Sequence, residues 1–165
     1  MANAIGTIRR IEGWFERPAA LALPLLLLAT RLHVGWAFVK SGWLKITDWP
    51  STLALFEYEY RTPLLSPAAA AFAGTAGELV LGGLVMLGLL GRVGALGLSA
   101  VNALAVVAYG HVLLAEGFEA ALAQHVLWGF MLLVLVVTGP GALSIDRLLG
   151  RAAPSTAAAA PAAVR

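Results

Sequence analysis

The first of four long apolar stretches, residues 18–39, reads PAALALPLLLLATRLHVGWAFV. A helix that crosses the roughly 30 Å hydrocarbon core of a bilayer needs about 20 mostly apolar residues, and this stretch is long enough. Three similar stretches follow at residues 68–90, 93–114 and 121–138. No alternation of polar and apolar residues indicates a β-barrel, and backbone groups in lipid must satisfy one another. The sequence therefore predicts an all-α polytopic membrane protein, a bundle of four transmembrane helices with short interfacial helices.

The composition of the 165-residue chain also favours a membrane protein over a soluble domain. Hydrophobic residues make up 60% of it and charged residues 12%, whereas about a quarter of the residues in a soluble domain are charged. The formal net charge is only +2, without the cluster of basic residues that neutralises a nucleic-acid backbone. We therefore expect contact with the lipid bilayer and none with nucleic acid. The absence of cysteine excludes disulfides, thiol catalysis, iron–sulfur clusters and thiolate metal sites within the chain.

Residues outside the apolar stretches predict the domain boundaries. Residues 1–17 place apolar and charged side chains on different sides of a helix, which is typical of a segment lying in the membrane interface. Residues 18–150 form the four-helix domain, and the Ala/Pro-rich residues 151–165 are predicted to be a disordered tail. Two short helices are predicted at the membrane surface: residues 51–60 with Ser51 as N-cap, and residues 145–149 with Ser144 as N-cap.

The distribution of basic residues predicts the orientation. Seven arginines fall on the side that both termini share, and three basic residues (Lys40, Lys45 and Arg61) fall on the other. The seven are Arg9, Arg10, Arg17, Arg92, Arg147, Arg151 and Arg165. Because loops rich in Lys and Arg remain inside, both termini are predicted to be cytoplasmic.

Three polar residues fall near the middle of the predicted spans. At 1.5 Å per residue, Arg31 lies roughly 20 Å into the first helix, Glu78 roughly 15 Å into the second and Asn102 roughly 14 Å into the third. A charge near the bilayer centre costs about 2.5–3.5 kcal/mol, so we expect Arg31 to pair with Glu78 and Asn102 to complete this buried polar centre. The sequence does not separate two interpretations: an ion pair that only sets helix register, and a site for a proton, an ion or a quinone-like headgroup.

The three histidines fall toward the predicted outer side. His111 and His125 are accompanied there by Glu116 and Glu119. Histidine and carboxylate together can ligate a metal, but no H-x-x-H or H-E-x-x-H spacing occurs. We therefore predict a hydrated polar rim and no metal site.

Several short motifs follow one another between residues 28 and 149. They are Arg31-Leu32-x-x-Gly35 with Phe38, Ser41-Gly42 and Lys45; Glu78-Leu79-x-x-Gly82; His125-x-x-Trp128; and Gly139-Pro140-Gly141-x-x-Ser144-x-Asp146. In this order and spacing they resemble the DoxX family of small four-span bacterial membrane proteins. The resemblance marks Gly35, Gly42, Lys45, His125, Trp128 and Asp146 as family-motif positions.

The resemblance also implies a location and a set of functions. It implies the bacterial inner membrane, and a family linked to quinone-dependent sulfur oxidation and to redox or metal-stress systems with partner proteins. No cofactor is identifiable from the residues, so a redox role would require a quinone, a metal or a partner subunit in addition to this chain. The favoured function is an accessory or anchor subunit of a redox- or metal-stress-related membrane complex, with a protein partner or as a homo-oligomer.

Two alternative functions remain open at this point. One is a quinone-interacting oxidoreductase subunit that uses the polar centre together with Lys45, His125 and Trp128. The other is a small transporter or export component for a metal or a modified peptide. The sequence leaves enzymatic activity undecided.

Overall fold

The structure, a computed structural model, describes residues 2–150, with side chains from Glu12 onward. This part of the chain holds seven helices and no strand: α1 (Ala2–Thr47), α2 (Trp49–Tyr58), α3 (Pro67–Leu87), α4 (Gly91–Ala108), α5 (Gly110–Leu113), α6 (Glu119–Thr138) and α7 (Ile145–Leu148). Four of these helices, α1, α3, α4 and α6, are long and apolar enough to cross a membrane. The predicted all-α, four-span architecture is confirmed. The predicted disordered tail, residues 151–165, lies outside the described residues.

Helix α1 is longer than predicted and has no break. It contains 46 residues, which extend for roughly 69 Å at 1.5 Å per residue. The helix continues through Pro18, Pro24 and the boundary predicted at residue 17. The helix also continues past the apolar stretch that ends at residue 39, so Lys40 and Lys45, which were counted with the following loop, lie inside α1. The location of residues 1–17 in the membrane interface stays a prediction.

Side-chain caps determine where the short helices begin. The carboxylate of Asp48, rather than the predicted Ser51, caps α2 by accepting the Ser51 N–H at 3.2 Å. Hydrogen bonding from the side chain and then from the backbone N–H of Ser51 holds the pKa of Asp48 below its usual value. Ser144 caps α7 as predicted, because its hydroxyl accepts the Arg147 N–H at 3.2 Å.

The predicted third span is interrupted at Tyr109. Helix α4 ends at Ala108, and α5 is a separate turn of four residues. The backbone N–H of Arg61 donates to the Ala108 carbonyl at 2.9 Å. The loop before α3 therefore satisfies a carbonyl that the end of a helix leaves without an intrahelical partner.

Helices α1 and α3 run antiparallel and make the closest contact in the bundle. A Cβ atom added to Gly35 would lie 2.8 Å from the carbonyl oxygen of Gly82, and one added to Gly82 would lie 3.0 Å from the carbonyl oxygen of Gly35. The two backbones can approach this closely only because neither residue has a side chain. Helix α4 packs between α3 and α6. The core enclosed by α1, α3, α4 and α6 contains Leu27, Val34, Phe38, Val85, Ala95, Leu98, Leu132 and Leu135.

Candidate functional site

A lysine–glutamate ion pair lies between α1 and α3. Both carboxylate oxygens of Glu78 lie 2.7 Å from Lys45 Nζ. The Lys45 ammonium also donates to Ser41 Oγ at 2.9 Å, and the Ser41 hydroxyl donates to Glu78 Oε1 at 3.3 Å. The side chains of Lys45 and Glu78 are only 13% and 10% exposed. The pair therefore compensates two charges that would each be costly in the interior of a membrane protein.

The predicted pairing of Arg31 with Glu78 is wrong. Arg31 is buried, but its guanidinium donates to two carbonyl oxygens, those of Met86 at 3.4 Å and of Leu143. Along α1, Arg31 and Lys45 are about 21 Å apart at 1.5 Å per residue. The prediction began the first span at Pro18, which placed Arg31 near mid-depth; Arg31 instead lies beside Gly88, at the end of α3 and about 15 Å along that helix from Glu78.

Arg31 instead bridges the end of α3 and the segment before α7. It does so at the end of the bundle where the turn between α3 and α4 lies. Beside Arg31, Gly88 ends α3 in the left-handed conformation, at φ 64°. Asp146 accepts the Leu90 N–H at 3.3 Å, and its own N–H donates to the Gly88 carbonyl at 3.1 Å. Arg31 and the motif residue Asp146 therefore fasten the segment before α7 to the α3–α4 turn.

Asn102 holds His125 in one orientation. Its Nδ2 donates to the His125 carbonyl at 3.0 Å, and its Oδ1 lies 2.8 Å from His125 Nδ1. A backbone carbonyl can only accept, so the amide nitrogen must face it, and Oδ1 then accepts the Nδ1–H proton. A neutral His125 therefore carries its free lone pair on Nε2.

Trp128 lies one helical turn after His125. The two ring centroids are 5.1 Å apart, and the Trp128 ring also contacts Phe38 of α1 with centroids 5.4 Å apart. The indole N–H is buried and has no hydrogen-bond partner among the described residues. The unpartnered indole N–H of Trp128 thus lies beside the ring of His125 on α6.

Helix register brings Ser41, Lys45, Glu78, Asn102 and His125 to a similar level, which we call the polar layer. A Cβ atom on Gly42 would lie 3.2 Å from Glu78 Cβ, which places this part of α1 beside Glu78. On the next helix pair, Gly77 lies against Val101, the residue before Asn102. Asn102 in turn bonds to His125. Of the predicted polar centre, Glu78 and Asn102 belong to this layer and Arg31 does not.

An aromatic cluster around Tyr60 of the α2–α3 loop joins α2 to the junction of α4 and α5. Tyr60 contacts Phe56 and Tyr109, with centroids 4.7 and 5.0 Å apart, and Tyr109 contacts His111. Burial raises the pKa of Tyr60, and the charge of Glu78 raises it further. The negative charge of Glu78 therefore disfavours the phenolate form of Tyr60.

An apolar groove of about 290 Å³ lies between the end of α1, the start of α2 and the face of α3. Its lining consists of Ile46, Trp49, Phe72, Thr75, Ala76 and Leu79. Thr75 is 3% exposed, and its hydroxyl has no hydrogen-bond partner among the described residues. Within the same part of the chain, no group of three His, Asp or Glu residues is arranged to hold a metal.

The sequence motifs include Ser41 without indicating its contact with Glu78, and they do not indicate the burial of Tyr60 or Thr75. A signal existed for Ser41, which precedes Lys45 by four residues and therefore shares its helix face. Tyr60 follows α2 in a loop, and only the folding of that loop against Ala108 brings it toward Glu78. No spacing in the sequence could have predicted that approach.

A family profile described as DoxX matches residues 26–111, slightly more than half of the chain. The chain belongs to the DoxX family. The matched region of this DoxX protein includes Lys45, Glu78 and Asn102 and ends before His125. Neither the curated proteins nor the solved structures include a match to the chain.

Proposed function

We propose that this DoxX protein is an accessory subunit that anchors a redox- or metal-stress-related complex in the bacterial inner membrane. The observation that carries the proposal is the length of α1. Its 46 residues span roughly 69 Å, whereas α3, α4 and α6, with 21, 18 and 20 residues, span roughly 27–32 Å. Among the side chains that the structure describes, those of α1 meet the core only from Leu23 onward, so residues 12–22, and the helix before them, extend past the bundle. We call this segment the α1 arm.

The surface of the α1 arm suits attachment to another molecule. Trp14, Phe15 and Leu21 are 71%, 66% and 76% exposed. Apolar side chains exposed in this way mark contact with lipid or with a partner protein. Because the arm and the first span are one continuous helix, a partner bound to the arm would be held at a constant distance from the bundle.

The proposed orientation has both termini in the cytoplasm. Lys40 and Lys45 lie inside α1, so they no longer count as loop charges. Arg61 is then the one basic residue on the outer side, against seven arginines on the inner side. This larger bias supports a cytoplasmic location for the arm.

Truncation of the arm tests the anchoring role. We expect deletion of residues 2–17, and the double variant Trp14→Ala with Leu21→Ala, to reduce the amount of partner protein that co-purifies from native membranes in mild detergent. The matched control, Glu12→Gln with Glu16→Gln, changes exposed polar residues of the same arm and should retain the partner. A strain lacking the gene should tolerate oxidant or excess metal poorly, with rescue by the control and not by the truncation. Equal co-purification with the truncated chain would refute the proposal.

A second function, a quinone-interacting subunit, is favoured by the unpartnered indole N–H of Trp128 beside the His125 ring on α6. The Trp128 indole N–H could donate a hydrogen bond to a quinone carbonyl, and the Nε2 lone pair of a neutral His125 could accept one from a quinol hydroxyl. A bound quinone would supply two-electron redox chemistry. The residues of this chain would orient its head group through these two hydrogen bonds.

Binding of a short-chain ubiquinone to the purified protein tests this second function. Loss of one hydrogen bond costs about 1 kcal/mol, so Trp128→Phe should weaken binding roughly fivefold to tenfold. The control variant, Trp14→Phe, makes the same chemical change on the α1 arm and should not affect affinity. Equal affinity of the Trp128→Phe variant and the unmodified protein would exclude this site.

A further inference from the structure

Thr75 of α3 lies at the bottom of the apolar groove between α1, α2 and α3. It is the one residue of the groove's lining that is buried, and its hydroxyl has no hydrogen-bond partner among the described residues. Ser99 and Thr138 instead donate to the carbonyl four residues earlier in their own helices, at 2.8 and 2.7 Å. A helix often satisfies a hydroxyl in this way. Because Thr75 does not, its hydroxyl is free to donate to a molecule in the groove.

The groove lies at the level where α1 ends. Thr75 precedes Glu78 by three residues, toward the start of α3. Asp48 follows Lys45, the ion-pair partner of Glu78, by three residues. Since α1 and α3 are antiparallel, Thr75 and Asp48 are displaced from the ion pair in the same direction, each by roughly 4.5 Å.

Asp48 and Trp49 place this level at a boundary between lipid and water. The Asp48 carboxylate is exposed, and in the described part of the chain it has no ion pair. Such a charge is costly in hydrocarbon. Trp49 is partly buried in the groove lining, and tryptophan in membrane proteins concentrates at the level of the lipid head groups. The groove therefore begins where the head groups of one leaflet meet the acyl chains.

The chemistry of the groove specifies the occupant. Apart from Thr75, its lining side chains are apolar, and its volume is about 290 Å³. This volume is at the lower end of small-molecule sites, which hold about 300–1,000 Å³, and it suits one slender acyl chain. The Thr75 hydroxyl can donate to an ester carbonyl. The charge beside the groove is the Asp48 carboxylate, which attracts an ammonium group and repels a head group of net negative charge.

We infer that this groove binds one phospholipid whose head group carries an ammonium, as in phosphatidylethanolamine. One acyl chain lies along the apolar lining, its ester carbonyl accepts a hydrogen bond from Thr75, and the ammonium lies near Asp48. The site is separate from the α1 arm and from Trp128, so it goes beyond both proposed functions and can fail independently of them.

Lipid binding by the purified protein tests the hydrogen bond from Thr75. Native mass spectrometry in mild detergent measures the binding of added dioleoyl phosphatidylethanolamine. Thr75→Val keeps the shape of the side chain and removes the donor, so it should weaken binding roughly fivefold. Thr138→Val makes the same change where the helix already satisfies the hydroxyl, and it should not alter affinity. Equal affinity of the Thr75→Val variant and the unmodified protein, or no bound lipid, would overturn the inference.

The head-group contact has its own test. The unmodified protein should bind dioleoyl phosphatidylethanolamine about threefold more tightly than dioleoyl phosphatidylglycerol, as expected for one exposed charge contact. Asp48→Asn keeps a residue type that caps helices and should abolish this preference. Glu57→Gln removes a charge near the other end of α2 and should retain it. Equal binding of the two lipids by the unmodified protein, or a preference that survives Asp48→Asn, would overturn the inference.

Thermal unfolding in detergent separates loss of binding from loss of the fold. Without lipid, the Thr75→Val variant should unfold at or above the temperature of the unmodified protein, because a methyl group replaces an unpaired hydroxyl. Added phosphatidylethanolamine should raise the unfolding temperature of the unmodified protein more than that of the variant, because a ligand stabilises the state that binds it. Equal increases would overturn the inference.

Discussion

At the scale of single residues, Lys45 and Glu78 depend on each other. Lys45→Met would leave the Glu78 carboxylate buried without its partner, so we expect the free energy of unfolding to fall by about 3–5 kcal/mol. Replacement of both residues, Lys45→Met with Glu78→Leu, removes both charges and should recover most of that loss. Unfolding in detergent mixtures, followed by circular dichroism, measures both effects. A double variant as unstable as the single one would contradict this account.

The same double variant separates a structural pair from a functional one. An ion pair that only sets helix register should leave the growth phenotype under oxidant or metal stress unchanged when both charges are removed together. If the pair instead handles a proton, an ion or a ligand, removal of both charges should abolish growth under oxidant or metal stress, although the protein still folds and inserts.

We expect the titration of Tyr60 to depend on the charge of Glu78. Its pKa is higher in the folded chain than in the unfolded one, because burial and Glu78 disfavour the phenolate. The resulting stabilisation is fully present below the unfolded pKa and is lost as pH rises through the folded pKa. Glu78→Gln should lower the pKa of Tyr60. The pKa of Tyr60 can be measured from near-ultraviolet absorbance against pH, after subtraction of the absorbance of the Tyr60→Phe variant. An unchanged titration in the Glu78→Gln variant would contradict an effect of Glu78 on Tyr60.

At the scale of helices, the contact between α1 and α3 depends on two glycines. Gly35→Ala would place a methyl group against the backbone of Gly82, so α1 and α3 must separate at a cost of about 1–3 kcal/mol. Gly83→Ala is the control, because a Cβ atom there meets nothing within 4 Å. It should stabilise α3 by up to about 1 kcal/mol, since alanine favours helix. Thermal unfolding in detergent compares the two variants, and equal effects would show that close packing at Gly35 is unimportant.

The beginnings of the short helices could be predicted only in part. Ser144 caps α7 as its sequence context indicates. At α2, both Asp48 and Ser51 are residue types that cap helices. Pro50 decides between them, because proline is tolerated in the first helical turn and therefore indicates a start just before it. The helix accordingly begins after Asp48.

At the scale of the whole molecule, the proposed orientation can be tested with the cysteine-free chain. Glu57→Cys lies near the end of α2, and Leu149→Cys follows α7 near the opposite end of the bundle. With both termini cytoplasmic, a membrane-impermeant maleimide should label Glu57→Cys in intact cells and Leu149→Cys only after permeabilisation. The reverse pattern of labelling would invert the orientation and place the α1 arm outside.

The sequence by itself determined that the chain is all-α, that four helices can span a membrane, and that Arg31, Glu78 and Asn102 are buried. These properties depend on local composition, since a run of about 20 apolar residues has few other ways to satisfy its backbone. Only the tertiary structure decided that Glu78 pairs with Lys45 and that Arg31 binds carbonyl groups elsewhere. Pairing depends on the register between α1 and α3, and that register is set by the close approach of Gly35 to Gly82 and not by residue counts along either helix.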